Sequence, residues 1–155
     1  MNNMIEAGAK LFTVGVFQDA AWAAKGLDAL KQAGFPPESL TVLAKDGPEA
    51  AALIERMLGG AGDRIEVPGI GMVIARGALV AALQGTERGL TKQGMAATMK
   101  SVGFQSHDGR IFETLTGRGG VLVAIHSDPR AADALAVLHS YGGGNAAIGA
   151  WTGRL

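Results

Sequence analysis

The sequence predicts an α+β fold, and three observations point to it. Two stretches near opposite ends of the chain repeat one strand–helix–strand pattern. Within each stretch, apolar residues recur at helical spacing and are flanked by short β-branched runs of strand length. Between them lies a glycine-rich segment with further helical patterning. The chain of 155 residues therefore reads as one domain, 1–155, with a first βαβ unit at 12–44, an insert at 45–119 and a second βαβ unit at 120–152. Two βαβ units in one small domain are the parts of a ferredoxin-like core, a four-stranded antiparallel sheet with two helices on one face.

The repeat aligns "FTVGVFQDAAWAAKGLDALKQAGFPPESLTVLA" (12–44) with "GVLVAIHSDPRAADALAVLHSYGGGNAAIGAWT" (120–152) without gaps. The matched residues are Ala23/Ala131, Ala24/Ala132, Leu27/Leu135, Leu30/Leu138 and Gly34/Gly142. Each unit opens with an apolar run, "FTVGVF" or "GVLVAI", and then meets a polar cap. Asp19 in the first unit, and Ser127 with Asp128 in the second, can accept bonds from the unpaired N–H groups that start a helix. Pro129 suits the first helical position of the second unit. Gly34 and Gly142 stand where a left-handed residue ends a helix. A second strand follows in each unit, "LTVLA" and "AAIGAW".

The insert begins with the helix "PEAAALIERMLGG" (48–60), followed by a strand around 64–67. "VPGIGMVIARGALVAAL" (67–83) comes next, apolar and dotted with glycine, with Arg76 as its one charge. Two more helices are expected, "TKQGMAATMKSVGF" (91–104) and "HDGRIFETLTGRG" (107–119). Two roles are open to this insert: completing the sheet, or lying on it as a lid.

Composition narrows the function classes. Fourteen basic residues balance fourteen acidic ones, which gives no electrostatic reason to expect nucleic acid or an anionic membrane as partner. Cysteine is absent, so disulfides, thiolate metal sites and cysteine nucleophiles are excluded. The opening "MNNMIEAGAK" lacks the basic start and apolar core of a signal peptide. The run at 70–83 is shorter than the ~20 apolar residues of a membrane span and carries Arg76. A cytoplasmic location is therefore expected. Glycine numbers 24 of 155 residues against a usual ~7%. Interspersed with Ala, Val and Leu, these glycines suggest close backbone packing rather than linkers.

No catalytic motif emerges. Gly69 and Gly71 supply two glycines of a dinucleotide fingerprint, but Ile74 occupies the third position, and the phosphate-loop pattern fails as well. Arg76 beside Gly77 retains the chemistry to meet an anion, through a guanidinium fork and exposed backbone N–H groups. His107, His126 and His139 lack metal-ligand spacing. His126 is the one that merits attention, because it falls at a strand end. Ser106, His107 and Asp108 are sequence neighbours, whereas a triad needs residues that converge in space. Ser106 reads better as a helix cap, with Asp108 favouring the positive helix end. Glu49 and Glu55 belong on an exposed helix face, and Glu113 is expected to pair with Arg110 or Arg118. Trp22 and Trp151 are candidates for covering core edges or for anchoring an oligomer interface.

The order of "VGVFQDAAWAAKGLDALKQAGFPPESLTVLAKD", "VPGIGMVIARGALVAAL" and "GGVLVAIHSDPRAADALAVL" resembles the bacterial heat-induced stress protein, or general stress protein 17M-like, domain family. The resemblance runs from about Leu11 to Trp151. It implies a βαβ unit, a glycine-rich centre, and a helix ending in Gly-Gly that leads into a "VLVxVH" strand. Gly69, Gly71, Gly77, Gly120 and His126 match recurring family positions, and no catalytic residue is carried over. Some related domains place a transmembrane hairpin where this chain has its shorter, charged run at 67–83.

Together these readings lead to a non-enzymatic, cytoplasmic, stress-associated domain acting as a homo-oligomer or by binding a protein partner, without cofactor, metal, nucleic acid or membrane span. The alternative is a small-ligand or anion-binding regulatory domain, with Gly69, Gly71, Arg76, Gly77 and His126 as binding residues. An enzyme of unknown type ranks third.

Overall fold

The computed structural model describes residues 11–126, 131–142 and 150–154. In chain order the elements are β1 (Leu11–Phe17), α1 (Ala20–Gln32), a 3-10 turn (Pro37–Ser39), β2 (Leu40–Lys45), α2 (Pro48–Leu58), β3 (Asp63–Val67) and β4 (Gly71–Arg76). There follow α3 (Ala78–Gln84), α4 (Gly89–Gln93), α5 (Met95–Ser101), α6 (Ser106–Gly117), β5 (Val121–His126), α7 (Ala131–Gly142) and β6 (Ala150–Arg154). The strands form one α+β sheet in the order β3-β4-β2-β5-β1-β6, with every adjacent pair antiparallel.

The repeat explains the middle of that sheet. β1 and β5, the first strands of the two units, pair with each other, Phe12 opposite His126 and Phe17 opposite Val121. Each unit's second strand then pairs with the other unit's first, β2 with β5 and β6 with β1. The first unit is built as its sequence indicates. Asp19 Oδ1 accepts the Trp22 N–H at 2.9 Å and starts α1. The helix ends in a Schellman arrangement, with the Gly34 N–H bonded to the Lys31 carbonyl and the Phe35 N–H to the Leu30 carbonyl. Gly34 takes the left-handed φ of 99° that this requires. In the second unit, the capping residues 127–130 and strand residues 146–149 lie outside the described residues. Its last strand occupies Ala150–Arg154, overlapping the end of the expected "AAIGAW". Gly142 falls within the last turn of α7.

The sheet divides the core in two. On one face Val42, Ile74, Val123 and Ile125 pack against Leu27, Leu30, Leu53, Ile54 and Leu138 from α1, α2 and α7. On the other, Phe12, Val14, Leu43, Val73, Ala75 and Leu122 pack against Leu79, Leu90, Met95, Met99 and Phe112 from α3 to α6. Fully burying each such large side chain contributes about 1.5–3 kcal/mol. Being covered on both sides, β2 and β5 are buried along their length except at the last residue. This is why "VLVAIH" reads as an unbroken apolar run instead of alternating.

The insert thus fills both roles open to it. Its β3–β4 hairpin extends the sheet beyond β2, its helix α2 joins the repeat helices on one face, and α3 to α6 cover the face that they leave bare. The stretch 67–83 resolves into the end of β3, a tight turn, β4 and α3. Two local expectations are corrected. The helix expected over 91–104 is broken at Gly94, whose φ of 87° lies outside helical geometry and whose backbone comes close to the Pro68 carbonyl. Ser106 is the first helical residue rather than the cap; Gln105 holds the cap position and makes no side-chain capping bond. Among the described residues no helix is long and apolar enough to cross a membrane.

Candidate functional site

Of the sequence-predicted binding residues, Gly69, Gly71, Arg76 and Gly77 lie at the two opposite ends of β4, and His126 lies at the end of β5. At the C-terminal end, Gly77 turns the chain into α3 with a φ of 131°. It passes so close over β2 that an added Cβ would lie 2.5 Å from the Thr41 Cα and 2.6 Å from the Leu40 carbonyl oxygen. Only glycine fits there. The buried Thr41 uses this proximity, since its Oγ1 accepts the Leu79 N–H at 3.1 Å and caps α3 from a neighbouring strand.

Arg76 is exposed, and its guanidinium is held by the loop after α2. Nη1 donates to the Ala61 carbonyl at 3.1 Å, and the group lies so close to Gly60 that a Cβ there would meet Cζ at 2.8 Å. Beside it opens a groove of about 870 Å³ between β3, the end of β4 and helices α3 and α4. Its charged lining is mixed: Glu38, Asp63 and Glu66 with Arg64, Arg76 and Arg88. Arg88 adopts a left-handed φ of 57°, alone among the described non-glycine residues. Gln84 on the groove wall is committed to the main chain. Its Oε1 accepts the N–H groups of Leu90 at 2.9 Å and Thr91 at 3.3 Å, while Nε2 donates to Thr91 Oγ1.

Gly69 and Gly71 lie at the other end of β4, in the turn closed by the Ile70 N–H on the Val67 carbonyl. A six-residue strand at about 3.3 Å per residue puts them roughly 17 Å from Arg76. A Cβ at Gly69 would lie 3.6 Å from a carboxylate oxygen, Glu113 Oε2. That oxygen accepts the Ala96 N–H at 3.4 Å, so Glu113 caps α5 rather than pairing with Arg110 or Arg118 as expected. The ion pair formed among the described residues is Arg64 with Asp46, at 2.8 Å.

His126 ends β5, exposed, with its ring stacked on Phe12 at 5.2 Å. β4 and β5 both run antiparallel to β2, so Arg76 and His126 share one end of the sheet. They are two strands apart, and His126 does not line the Arg76 groove. Trp22 is half-buried at the start of α1 and carries the Lys25 ammonium over its ring at 4.7 Å. Trp151 sits in β6 opposite Val14. No group of three or more His, Cys, Asp or Glu side chains among the described residues is placed to hold a metal. The structure therefore brings Arg76 and Gly77 together, and sets Gly69 with Gly71, and His126, elsewhere.

Sequence reasoning placed a strand around 64–67 and the structure has it at Asp63–Val67, but its place at the sheet edge beside the groove was missed. In "DRIEV" the alternation leaves Arg64 and Glu66 exposed while Ile65 and Val67 are buried. Charged residues alternating on a short strand are the mark of a sheet edge, and that signal was available. Fold and site together define a layered α+β protein, helices on both faces of one antiparallel sheet, with an open groove at one sheet edge. No family model matches the chain, and neither the curated proteins nor the solved structures contain a match.

Proposed function

We propose that this chain is a non-enzymatic interaction domain with a ferredoxin-like core, working in the cytoplasm by self-association. The stress-associated role follows from its resemblance to the heat-induced stress protein family. For the core, the support is strand order. With the β3–β4 hairpin set aside, β2-β5-β1-β6 is the order two interlocked βαβ units produce. For the interaction role, the carrying observation is the edge of β3, which has a strand neighbour on one side only among the described residues. Helices cover both faces of the central strands, so association is assigned to an edge rather than to an open face there. The polar groups around the groove also favour binding over chemistry, since Thr41, Arg76 and Gln84 all hold main-chain atoms.

Light scattering on the size-excluded chain at micromolar concentration tests the proposal. A dimer or larger assembly is expected, and a strict monomer at every concentration overturns it.

A second reading has one observation in its favour: Arg76 lines a groove that also holds Arg64 and Arg88. On that reading the groove takes a small anion. Inorganic phosphate or a nucleotide should then raise the melting temperature, and Arg76→Ala should abolish the rise. The three acidic side chains in the same lining weigh against it.

A further inference from the structure

We infer that the chain pairs with a second copy of itself through β3, antiparallel, with Arg64 of each copy opposite Glu66 of the other. This inference rests on the self-association reading and names the surface and register.

The hydrogen-bonding pattern fixes which backbone groups are available. The Met72 carbonyl accepts the Asp46 N–H, so Met72 turns its backbone toward β2. By alternation along β4, Gly71, Val73 and Ala75 turn theirs toward β3, where they stand opposite Val67, Ile65 and Asp63. The remaining residues of β3, Arg64 and Glu66, direct their N–H and C=O groups to the outer side. Four hydrogen-bonding groups thus point away from the sheet, and four residues of the strand line the open groove.

A second β3 related by a two-fold axis can meet these groups in three registers. Arg64 opposite its own copy sets two like charges against each other, and so does Glu66 opposite its copy. Only the register centred on Ile65 puts Arg64 against Glu66 at both positions. There the four outward backbone groups of each copy are satisfied in two hydrogen-bonded pairs. Ile65 meets its own copy across the axis at a non-hydrogen-bonded position, and Asp63 lies opposite Val67.

Side-chain geometry agrees. Arg64 and Glu66 occupy the same face of β3, since they alternate with Ile65 and Val67, which belong to the core beneath α3 to α6. Arg64 uses Nε for Asp46 Oδ2, which leaves its two terminal nitrogens for another carboxylate. The same charges that discourage indiscriminate edge pairing then select this partner and this register.

Two charge reversals test the inference in the full chain. Glu66→Arg leaves two arginines on the strand and Arg64→Glu leaves two glutamates. Each variant alone should dissociate, its dimer dissociation constant rising about tenfold or more from like-charge opposition. Mixed one to one, the two variants should recover the dimer as a heterodimer, because every facing pair is again opposite in charge. If both variants stay dimeric alone, or if the mixture stays monomeric, the β3 pairing is overturned. A wild-type chain that is itself monomeric at every concentration removes the underlying self-association reading as well. An independent check uses the absence of cysteine in the sequence. In the inferred register, Ile65→Cys places two thiols across the axis on backbones about 4.5 Å apart, within disulfide reach. Oxidation should give a covalent dimer; a product that remains monomeric while the non-covalent dimer persists contradicts the register.

Discussion

The two faces of the sheet are covered by helices of different kinds. On the repeat side, α1 is long, amphipathic and closed at both ends by residues of its own neighbourhood: Asp19 caps its start and Gly34 its end. On the insert side, α3, α4 and α5 are seven residues or shorter, and each is capped by a side chain from another element. Thr41 serves α3 from β2, Gln84 serves α4 from α3, and Glu113 serves α5 from α6. Isolated helices of this length are not stable in water. These three helices are therefore held through tertiary bonds, and their order depends on the sheet beneath them. The repeat supplies the framework, and the insert takes its shape from it.

That contrast can be broken most severely at Gly77. Gly77→Ala should destabilise the chain by at least about 3 kcal/mol in denaturant unfolding, since a Cβ would strike β2 backbone at a left-handed position. Its counterpart on the repeat side, Gly34→Ala, forces an alanine to a φ of 99° and should cost about 1–2 kcal/mol. Thr41→Val comes next. By stranding the Leu79 N–H inside the protein it should cost about 1–2 kcal/mol, and hydrogen exchange should show protection lost in α3 and kept in α1. Asp19→Ala should do the reverse, costing about 1 kcal/mol with the loss confined to the first turn of α1. The smallest effect is expected at Thr116, whose buried hydroxyl has no hydrogen-bond partner among the described residues. Thr116→Val should leave the unfolding midpoint unchanged or raise it slightly, within about 0.5 kcal/mol.

The same contrast explains what the sequence discloses. The repeat strands, the cap at Asp19, the Schellman ending at Gly34 and helix α2 all depend on residues within a few positions of one another, so local pattern finds them. The division of 67–83 into turn, strand and helix does not. β4 is buried on both faces through Val73, Ile74 and Ala75, so it shows no alternation, and α3 is too short to display helical period. Gly77 looks like any other glycine until Thr41, thirty-six positions earlier in the chain, is placed against it. Of the candidate site, the pairing of Arg76 with Gly77 was legible because they are adjacent. The separation of Gly69 and Gly71 from them was hidden, because an apolar strand and an apolar loop look alike in composition. The bond from Arg76 to Ala61 depends on how the loop after α2 returns along β4, which only the fold reveals.

With the faces of its central strands occupied on both sides, the sheet has its edges left for association, and the backbone of β3 is where that idea is most exposed to test. Hydrogen exchange at increasing protein concentration measures it directly. The amides of Arg64 and Glu66 should exchange rapidly in dilute solution and become protected as dimer forms, while the amides of Ile65 and Asp63, already facing β4, should change little. Arg64 and Glu66 amides that remain unprotected while light scattering reports a dimer would contradict it.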